Sequence, residues 1–512
     1  MRNLKRVLSL ALASIMLLGM MVVGAGAASK DFTDSDEIKN VEAVDVMVAL
    51  GVLEGGNKGD FQPNSILTRE QAAKIICYML LGEEAAEKLT TNYSIFSDVP
   101  ANRWSAPYIS YCVNLGILAG DGHGHFYPEG KLTGVAFAKM LMVCLGYSAE
   151  RENYVGNNWE INTSAAAIAA GVAPKGLVLS NELSRQDAAQ MAFNTLTATM
   201  VEYLNDNTII IGDTTVSTVG KASAVKQAPY TDTMDAEYLQ FAEKYFGKLK
   251  KIDDVDDFDG PAHTWSFKSE EVGTFVNWDE MVGEFTSDVT GKDLFDLLTA
   301  STIKTYGFNY YVDGKLVDDV IKASNMIRTN AYSYETTGNG ALTQVFVDNN
   351  DEEIVITTIN TYLAKAAADY NEKRGELSLN IYADKTVEQV VEVEDFPAIE
   401  GVEEGEAFLV NVAETTKDKY AISIMAAPEV LSGAKLTKYS KVNYLVTDGT
   451  QYDYALKGGI HNASELANYN QSALDNTYDV YLDQYGYVIG TEKVSGEAKY
   501  LFLTGYDRPT TH

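Results

Sequence analysis

The chain is poor in cysteine, proline and basic residues, and each shortage excludes a class of protein. Only 3 Cys occur among 512 residues, which excludes a disulfide-rich scaffold. Only 10 Pro occur against 31 Tyr, which favours β-rich surfaces over long extended linkers. The 40 Lys and Arg are outnumbered by 72 Asp and Glu, giving a net charge of -32. This charge repels phosphate backbones, so we do not expect nucleic acid as a partner.

The remaining composition is that of a globular protein with several domains. Hydrophobic residues make up 46% and charged residues 22% of the chain, as in folded proteins. The length predicts roughly three domains. Each cysteine lies in an apolar run: Cys77, Cys112 and Cys144. We therefore expect three buried, small hydrophobic side chains, with a disulfide or a reactive thiol as the alternative.

The first residues have the pattern of an export signal. A basic start, Arg2, Lys5 and Arg6, precedes an apolar run over residues 7–23 and the small residues Ala25-Gly26-Ala27. This predicts a signal peptide over residues 1–28, cut after Ala27 or Ala28, with an uncleaved anchor as the alternative. No later segment approaches about 18 continuous apolar residues, so we expect no membrane span in the mature chain. The C-terminus shows no covalent wall-sorting motif, so retention at a surface would need a non-covalent binding module.

A repeat fills residues 30–204. Paired motifs mark two copies: Phe32-Thr33-Asp34 with Phe96-Ser97-Asp98, Gly51-Val52-Leu53-Glu54-Gly55 with Gly116-Ile117-Leu118-Ala119-Gly120, Phe61-Gln62-Pro63 with Phe126-Tyr127-Pro128, and Leu67-Thr68-Arg69 with Leu132-Thr133-Gly134. A weaker third copy carries Leu183-Ser184-Arg185. We predict copies over residues 29–89, 90–148 and, divergent, 149–204, packed together because one such unit buries little surface.

Local signals in these copies predict helices. Thr68 and Gln71 have the spacing of a capping box, and Ser184 and Asp187 repeat the start signal. Thr133 lacks the reciprocal partner, because residue 136 is Ala. Gly51 and Gly116 stand where helix C-caps belong.

These motifs resemble the S-layer homology family. The resemblance covers about 175 residues and implies a three-copy α-helical prism that binds a secondary cell-wall polysaccharide of Gram-positive-type envelopes, often a pyruvylated glycan. It also implies the ligand-binding residues: Arg69, Arg185, Asp34, Asp98, Trp104 and Trp159. A guanidinium can bind a carboxylate through two parallel hydrogen bonds, and Trp can stack on a sugar ring.

Some positions depart from the family pattern. Gly134 replaces the expected Arg in the second copy, Asn40 lies near the Trp position of the first, and the third lacks the Phe-x-Asp opening. We therefore expect two competent grooves, or one. The alternative is structural: Arg69 and Arg185 would be solvated or salt-bridged residues at helix starts, and Trp104 would be a core residue.

The second half of the chain changes to strand patterns. We predict an α+β region over 205–340 and two β modules over 341–430 and 431–512. Inside the first region we expect strands near 208–212 and 215–219, helices over 236–250 and 292–300, a hairpin over 264–276 and a further helix near 317–324. Similar segments at 345–356 and 480–489 suggest a faint repeat, with two unrelated hairpins as the alternative. The predicted fold class is thus α+β multidomain: a helical prism, then α+β and mainly β modules.

Few motifs carry metal or catalytic chemistry. His123 and His125 with Asp121 could hold a transition metal, but the repeat aligns them with a plain turn. The acidic runs at 253–259 and 348–353 could form a loose Ca²⁺ site or be solvated turns. No pair of carboxylates stands out as catalytic, so we name no catalytic residue, no resident metal and no cofactor.

The sequence therefore predicts a secreted, non-enzymatic surface protein. Its repeats would fasten it to cell-wall polysaccharide, and its second half would be displayed, with self-association into an S-layer lattice. Two alternatives remain open: a wall-tethered glycoside hydrolase or other enzyme with carboxylates in the C-terminal half, and an adhesin or glycan-binding protein.

Overall fold

The computed structural model describes residues 28–56, 58–203, 207–211, 214–218, 220–226, 237–383, 386–393, 395–416, 419–424, 426–440, 443–455, 474 and 476–494. The predicted signal peptide, apart from Ala28, lies outside these residues. The chain divides into two compact units. The helical unit comprises the described parts of residues 21–256 and 262–276, and the sheet unit those of 257–261 and 277–512. The predicted mixture of helix and sheet is confirmed.

Each predicted copy contributes two main helices to the helical unit. They are α1 (Val41–Ala49) and α2 (Arg69–Leu81), with the short α3 (Glu83–Ala86), then α4 (Ala106–Asn114) and α5 (Gly134–Cys144), then α6 (Trp159–Ala169) and α7 (Arg185–Thr197). The segments that precede α2, α5 and α7 pair with one another in a ring. The backbone nitrogens of Leu67, Leu132 and Leu183 donate to the carbonyls of Leu183, Leu67 and Leu132 at 2.9, 2.9 and 2.8 Å. The segments before the second main helix of each predicted copy are therefore joined in a ring by main-chain hydrogen bonds.

The predicted helix ends are confirmed. Thr68 accepts a hydrogen bond from the Gln71 nitrogen and completes a capping box, and Ser184 accepts one from the Asp187 nitrogen. Thr133 also caps its helix, through its hydroxyl alone. The helices α1 and α4 are followed by Gly51 and Gly116 with φ of 69° and 71°, which glycine adopts without steric cost.

The core of the helical unit contains the three cysteines. All three thiols are free and buried, as predicted. The sulfur atoms of Cys77 and Cys112 lie 3.6 Å apart between α2 and α4. The expectation of small buried hydrophobic residues therefore holds.

The helical unit ends in small strands that pack against the copies. These are β1 (Val201–Tyr203), β2 (Asn207–Ile211), β3 (Thr214–Thr218), β4 (Ala222–Ala224), β5 (Leu249–Val255), β6 (Pro261–Phe267) and β7 (Glu270–Val276). The strands β2 and β3, which pair with each other, and the hairpin β6–β7 match the predicted strands and hairpin. The predicted helix over 236–250 is wrong in length. Only α8 (Phe241–Tyr245) is helical, because the chain enters the sheet β5–β6–β7 at Leu249.

The sheet unit contains three five-stranded sheets. The first has the order β10-β9-β12-β11-β8, from β8 (Met281–Phe285), β9 (Gly307–Val312), β10 (Lys315–Leu316), β11 (Leu342–Asp348) and β12 (Glu353–Ile359). The second has the order β15-β14-β13-β16-β17, from β13 (Thr361–Ala366), β14 (Glu376–Tyr382), β15 (Thr386–Glu392), β16 (Ala407–Thr416) and β17 (Lys419–Ile424). The third has the order β20-β19-β18-β21-β22, from β18 (Glu429–Tyr439), β19 (Tyr444–Thr447), β20 (Thr450–Asp453), β21 (Thr477–Leu482) and β22 (Val488–Lys493).

The second and third sheets share one topology. In each, the chain enters at the central strand, forms two strands on one side and then crosses to form a hairpin on the other. Residues 342–359 hydrogen-bond into the first sheet, so the strands of the second sheet begin at Thr361 rather than at 341. The two similar segments at 345–356 and 480–489 are both antiparallel hairpins, β11–β12 and β21–β22.

Two helix predictions in the sheet unit need correction. The segment over 292–300 is not one helix: α9 (Gly291–Leu297) ends at the extended residue Leu298, and α10 (Ala300–Thr305) begins after the N-cap Thr299. The segment near 317–324 is not an α-helix, and only a 3₁₀ turn forms over Ala323–Asn325. Asp319 has a φ of 77°, a left-handed conformation that breaks a right-handed helix.

Candidate functional site

Two equivalent clusters of residues lie between neighbouring predicted copies, and we call them groove 1 and groove 2 after the binding sites that the resemblance implies. Groove 2 consists of Asp98, Phe126 and Tyr127 of the second copy with Arg69 of the first. The carboxylate of Asp98 accepts hydrogen bonds from the backbone nitrogens of Phe126 and Tyr127 at 2.9 and 2.7 Å. Phe96 stacks on Phe126, with ring centroids 5.4 Å apart. The Phe-x-Asp and Phe-x-Pro motifs therefore form one loop pair.

Groove 1 repeats this arrangement. It consists of Asp34, Phe61 and Gln62 of the first copy with Arg185 of the third. Asp34 accepts hydrogen bonds from the backbone nitrogens of Phe61 and Gln62, each at 2.7 Å. Phe32 contacts Phe61 with ring centroids 5.4 Å apart. The structure thus places both predicted Asp residues in equivalent positions, where their carboxylates hold a loop.

Each groove arginine comes from a different copy than the loop it contacts. Arg69 donates from Nε to the Phe126 carbonyl and from Nη2 to the Ala119 carbonyl, both at 2.9 Å. Arg185 donates from Nε to the Phe61 carbonyl at 2.9 Å and from Nη2 to the Glu54 carbonyl at 3.0 Å. Each guanidinium also lies over a Phe ring, 4.4 Å from the centroid of Phe126 and 4.9 Å from that of Phe61.

These contacts leave cationic hydrogen-bond donors in both grooves. A guanidinium has five N–H donors, and each of these two uses two of them for the neighbouring loop. Burial lowers the pKa of Arg69 and Arg185, but an arginine stays protonated in proteins. Burial alone would raise the pKa of Asp98, yet the two backbone hydrogen bonds outweigh it and leave that pKa below its ordinary value. Each groove therefore presents an oriented cation above a fixed loop.

The loops of both grooves contain a residue with a strained backbone at the equivalent position. Gln62 and Tyr127 have φ of 57° and 58°, a conformation that side-chain-bearing residues rarely adopt. In this conformation their nitrogens reach the Asp carboxylates. Strain of this kind persists only where the surroundings enforce it, and it clusters at ligand-binding sites.

The two predicted tryptophans have different surroundings. Trp104 is 51% exposed and tilts against Tyr108, with ring centroids 6.3 Å apart, so it is not a core residue. Trp159 is partly buried and packs against the core, with the Lys139 ammonium 5.6 Å from its ring centroid. Asn40, near the Trp position of the first copy, donates to the Gln186 carbonyl at 3.0 Å. Of the two predicted tryptophans, only Trp104 is exposed.

The corresponding place between the second and third copies is filled. Gly134 stands where the other copies have Arg, and its nitrogen donates to the Asn181 carbonyl at 3.1 Å. A Cβ on Gly134 would lie 3.1 Å from both the Cα and the carbonyl oxygen of Leu179. A side chain there would therefore press on the backbone of Leu179, which would have to shift by a few tenths of an ångström, and this junction has no arginine at the equivalent position.

The sequence did not predict an ion pair next to groove 2, between Glu70 and Arg103, which we call the clamp. Glu70, directly after Arg69, accepts hydrogen bonds from Arg103 Nε at 2.7 Å and Nη2 at 2.8 Å and from the Ser105 hydroxyl at 2.5 Å. At the same position of the third copy, Gln186 accepts from the Lys39 nitrogen at 2.9 Å. The Thr-Arg-Glu motif could have suggested this ion pair. Its Arg69 and Glu70 are adjacent at the start of α2, and adjacent helix residues face different neighbours, here the loop of groove 2 and Arg103.

The segments 121–125 and 348–353, for which the sequence left a metal site as the alternative to a plain turn, are both turns, whereas the acidic run at 253–259 begins inside β5. Asp121 accepts hydrogen bonds from the backbone nitrogens of His123 and His125 at 2.7 and 3.0 Å. Asp348 likewise accepts from the nitrogens of Asn350 and Asp351 at 2.6 and 3.1 Å. Within the described ranges, no group of three or more His, Cys, Asp or Glu side chains could hold a metal ion.

Comparison with known proteins supports the resemblance. The S-layer homology domain family matches residues 31–73 and 95–138, which lie in two of the three predicted copies. A cell surface protein of Thermoanaerobacter kivui is 26% identical over 270 residues, covering 48% of this chain and 34% of the relative. S-layer protein EA1 of Bacillus anthracis is 26% identical over 297 residues, with 48% and 34% covered. An uncharacterized cell wall amidase of Bacillus anthracis is 28% identical over 142 residues, covering 27% of this chain and 25% of the relative.

The chain therefore contains S-layer homology repeats and is similar to cell-surface and S-layer proteins. The predicted secretion and location at the cell wall are confirmed by this similarity. The chain spans about a third of the length of the first two relatives. Among the described residues, no helix has both the length and the apolar character needed to cross a membrane.

Proposed function

We propose that the helical unit anchors the protein non-covalently to a secondary cell-wall polysaccharide through grooves 1 and 2. In this proposal the divergent third copy completes a three-copy prism and supplies Arg185. The recurrence of one arrangement in two grooves carries the proposal: an Asp-held loop, a strained residue and an arginine from another copy.

The chemistry of the grooves suits an acidic glycan. The unused donors of Arg69 and Arg185 can bind a carboxylate such as that of a pyruvylated sugar. Trp104 and Tyr127 are both more than half exposed and can stack on the apolar face of a sugar ring. Groove 1 has Asn40 and Gln62 at the corresponding positions. We therefore assign stronger sugar contact to groove 2.

The net charge of the chain does not prevent this binding. The protein carries a net charge of -32 and would repel an anionic polymer at long range. At physiological ionic strength the Debye length is about 8 Å, so the nearest guanidinium dominates the field in each groove. Two grooves on one rigid body would also gain avidity on a polymer, by about 10² or more where both can bind at once.

We further propose that the sheet unit is displayed at the surface, has no enzymatic activity and self-associates into a lattice. Relatives named as S-layer and cell surface proteins support this display role. Sheet edges are where self-association would occur, because each of the three five-stranded sheets in the described residues ends in two edge strands, and an edge strand can pair with a strand of another molecule.

Binding to isolated cell walls tests the anchoring. The purified protein should sediment with walls and should remain in solution when the secondary polymer has been removed chemically. The variants Arg69→Ala and Arg185→Ala should each weaken co-sedimentation, and the double variant should nearly abolish it. Trp104→Ala should weaken binding without removing a hydrogen bond of the prism. The matched control is Arg374→Ala, since Arg374 is exposed in the sheet unit.

Circular dichroism separates loss of binding from loss of fold, because both arginines also join neighbouring copies. Full wall binding by a folded double variant would reject the assignment of the grooves. Electron microscopy of the purified full chain, with and without Ca²⁺, tests the lattice. Ordered sheets would support the display proposal, whereas monodisperse particles in both conditions would contradict it.

A further inference from the structure

A buried carboxylate lies beside the point where the predicted signal peptide ends. Asp45 is on α1 and is 0% exposed. Its Oδ1 accepts a hydrogen bond from the backbone nitrogen of Ser29 at 2.6 Å. Its Oδ2 has no hydrogen-bond partner among the residues that the structure describes. A buried carboxylate held by a neutral amide is costly, so this site favours a cationic partner.

The charged side chains next to Ser29 do not supply this cationic partner. Burial dominates and raises the pKa of Asp45 to about 6, against the lowering effect of its hydrogen bonds to Ser29. Lys30 lowers this pKa and Asp31 raises it, so the two neighbouring side chains oppose each other. Ser29 itself holds the carboxylate, through its side chain and through its backbone nitrogen at 2.6 Å.

We propose that the signal peptide is cleaved between Ala28 and Ser29, and that the α-ammonium group created on Ser29 binds Asp45 as a buried ion pair. Hydrolysis consumes one water, leaves a carboxylate on Ala28 and gives Ser29 a protonated amine. The amide nitrogen has one hydrogen to donate, whereas the ammonium has three. The ammonium can therefore donate to Oδ1 from the position that the nitrogen already occupies, and it has two further hydrogens to offer to the carboxylate.

This geometry selects one of the two cleavage positions that the sequence leaves open. Gly26 and Ala28 are both small, so a cut after Ala28 satisfies the small-x-small pattern as well as a cut after Ala27. Only the cut after Ala28 puts the new charge on the atom that lies 2.6 Å from Asp45. The mature helical unit then gains an ion pair that the precursor lacks, so the precursor is the less stable form during export.

N-terminal sequencing of the secreted protein, and a pair of full-length mature chains, test this proposal. One chain begins with a free amine on Ser29, produced by scarless removal of a fusion partner. The other carries an acetylated Ser29, which restores the neutral amide. We expect the secreted protein to begin at Ser29. We also expect the free-amine chain to have an unfolding equilibrium constant about tenfold lower than that of the acetylated chain.

The matched control repeats the comparison in Asp45→Asn, where the difference between the two chains should disappear. A second measurement needs no variant: in the native chain, the Ser29 amine should titrate above the ordinary range of about 7.7–8.0 and should resist acylation. An N-terminus at another residue, or a Ser29 amine with an ordinary pKa and full reactivity, would overturn the proposal.

Discussion

The clamp between Glu70 and Arg103 gives a sharp test of how the first two copies are held together. Glu70 has a side chain only 7% exposed, and Arg103 is 23% exposed. The same arginine also binds Glu129 at 2.8 Å, and the Glu129 side chain is 78% exposed. One cation thus has a buried and an exposed carboxylate partner, so the two substitutions Glu70→Gln and Glu129→Gln form a matched pair.

The two substitutions should differ several-fold in their effect on stability. Glu70→Gln keeps the shape but removes the charge from one buried and two partly buried hydrogen bonds, and hydrogen bonds to charged groups contribute about 1.5–3 kcal/mol each. Arg103 remains partly hydrated, so we expect a net loss near the lower end, about 2 kcal/mol. Glu129→Gln should cost less than about 1 kcal/mol, as for other exposed ion pairs.

The pH dependence gives an independent signature of the same clamp. Burial alone would raise the pKa of Glu70, but the hydrogen bonds from Arg103 and Ser105 outweigh it and hold that pKa below its ordinary value. A carboxyl with a depressed native pKa adds stability above its unfolded pKa of about 4.3, and this stability is lost as the pH falls through the native pKa. The difference between wild type and Glu70→Gln should therefore shrink below about pH 4.

Hydrogen exchange of the full chain at α2 and α4 measures the effect where it arises, because a chain with several units need not unfold in one step. Exchange at these two helices should accelerate by more than tenfold in Glu70→Gln and by less in Glu129→Gln. The reasoning fails if both substitutions change exchange equally, or if the effect of Glu70→Gln is undiminished at low pH.

Three further predictions concern other parts of the chain. Gly134→Arg should destabilise the helical unit by about 1–3 kcal/mol and add no wall binding in the co-sedimentation assay, because Leu179 occupies the space. Native protein should not react with a thiol reagent at pH 8. The contact with the Cys112 sulfur and burial raise the pKa of Cys77, and burial raises the pKa of Cys144. Fast labelling would contradict the burial of these thiols. Burial raises the pKa of Asp483 to about 7, so the sheet unit should lose stability as the pH rises from about 4 to 7, and Asp483→Asn should flatten this dependence in thermal melts.

The features that could be predicted from the sequence are those with local causes. Thr68 and Gln71 are three residues apart, so their capping box depends only on one helical turn. The cysteines stand in apolar runs, and their burial follows. The groove contacts could not be derived from composition or periodicity. Arg69 binds carbonyls 50 and 57 residues away, and a spacing pattern does not encode which copy supplies the arginine to which loop.

The wrong start of the second sheet also comes from contacts between residues far apart in the chain. Residues 342–359 and the strands that follow have similar sequence patterns, since each strand either alternates polar and apolar residues or is continuously apolar. Which sheet a strand joins depends on partners far along the chain, such as the parallel pairing of β12 with β9. The helix expected near 317–324 failed for a local reason that the residue types only hint at, because Asp tolerates the left-handed conformation adopted by Asp319.

Main-chain hydrogen bonds hold the predicted copies together, whereas side chains form the grooves. One junction can therefore lose its groove while the helical unit keeps its fold. The ring that joins Leu67, Leu132 and Leu183 consists of main-chain hydrogen bonds, which any residue except proline can make. The grooves instead require particular side chains at Asp34, Asp98 and the two arginines. Gly134 in the second copy and the missing Phe-x-Asp opening in the third therefore remove side-chain chemistry at one junction, while the ring still holds α7, and with it Arg185, against the first copy. The third copy is thus needed for groove 1, because it supplies Arg185.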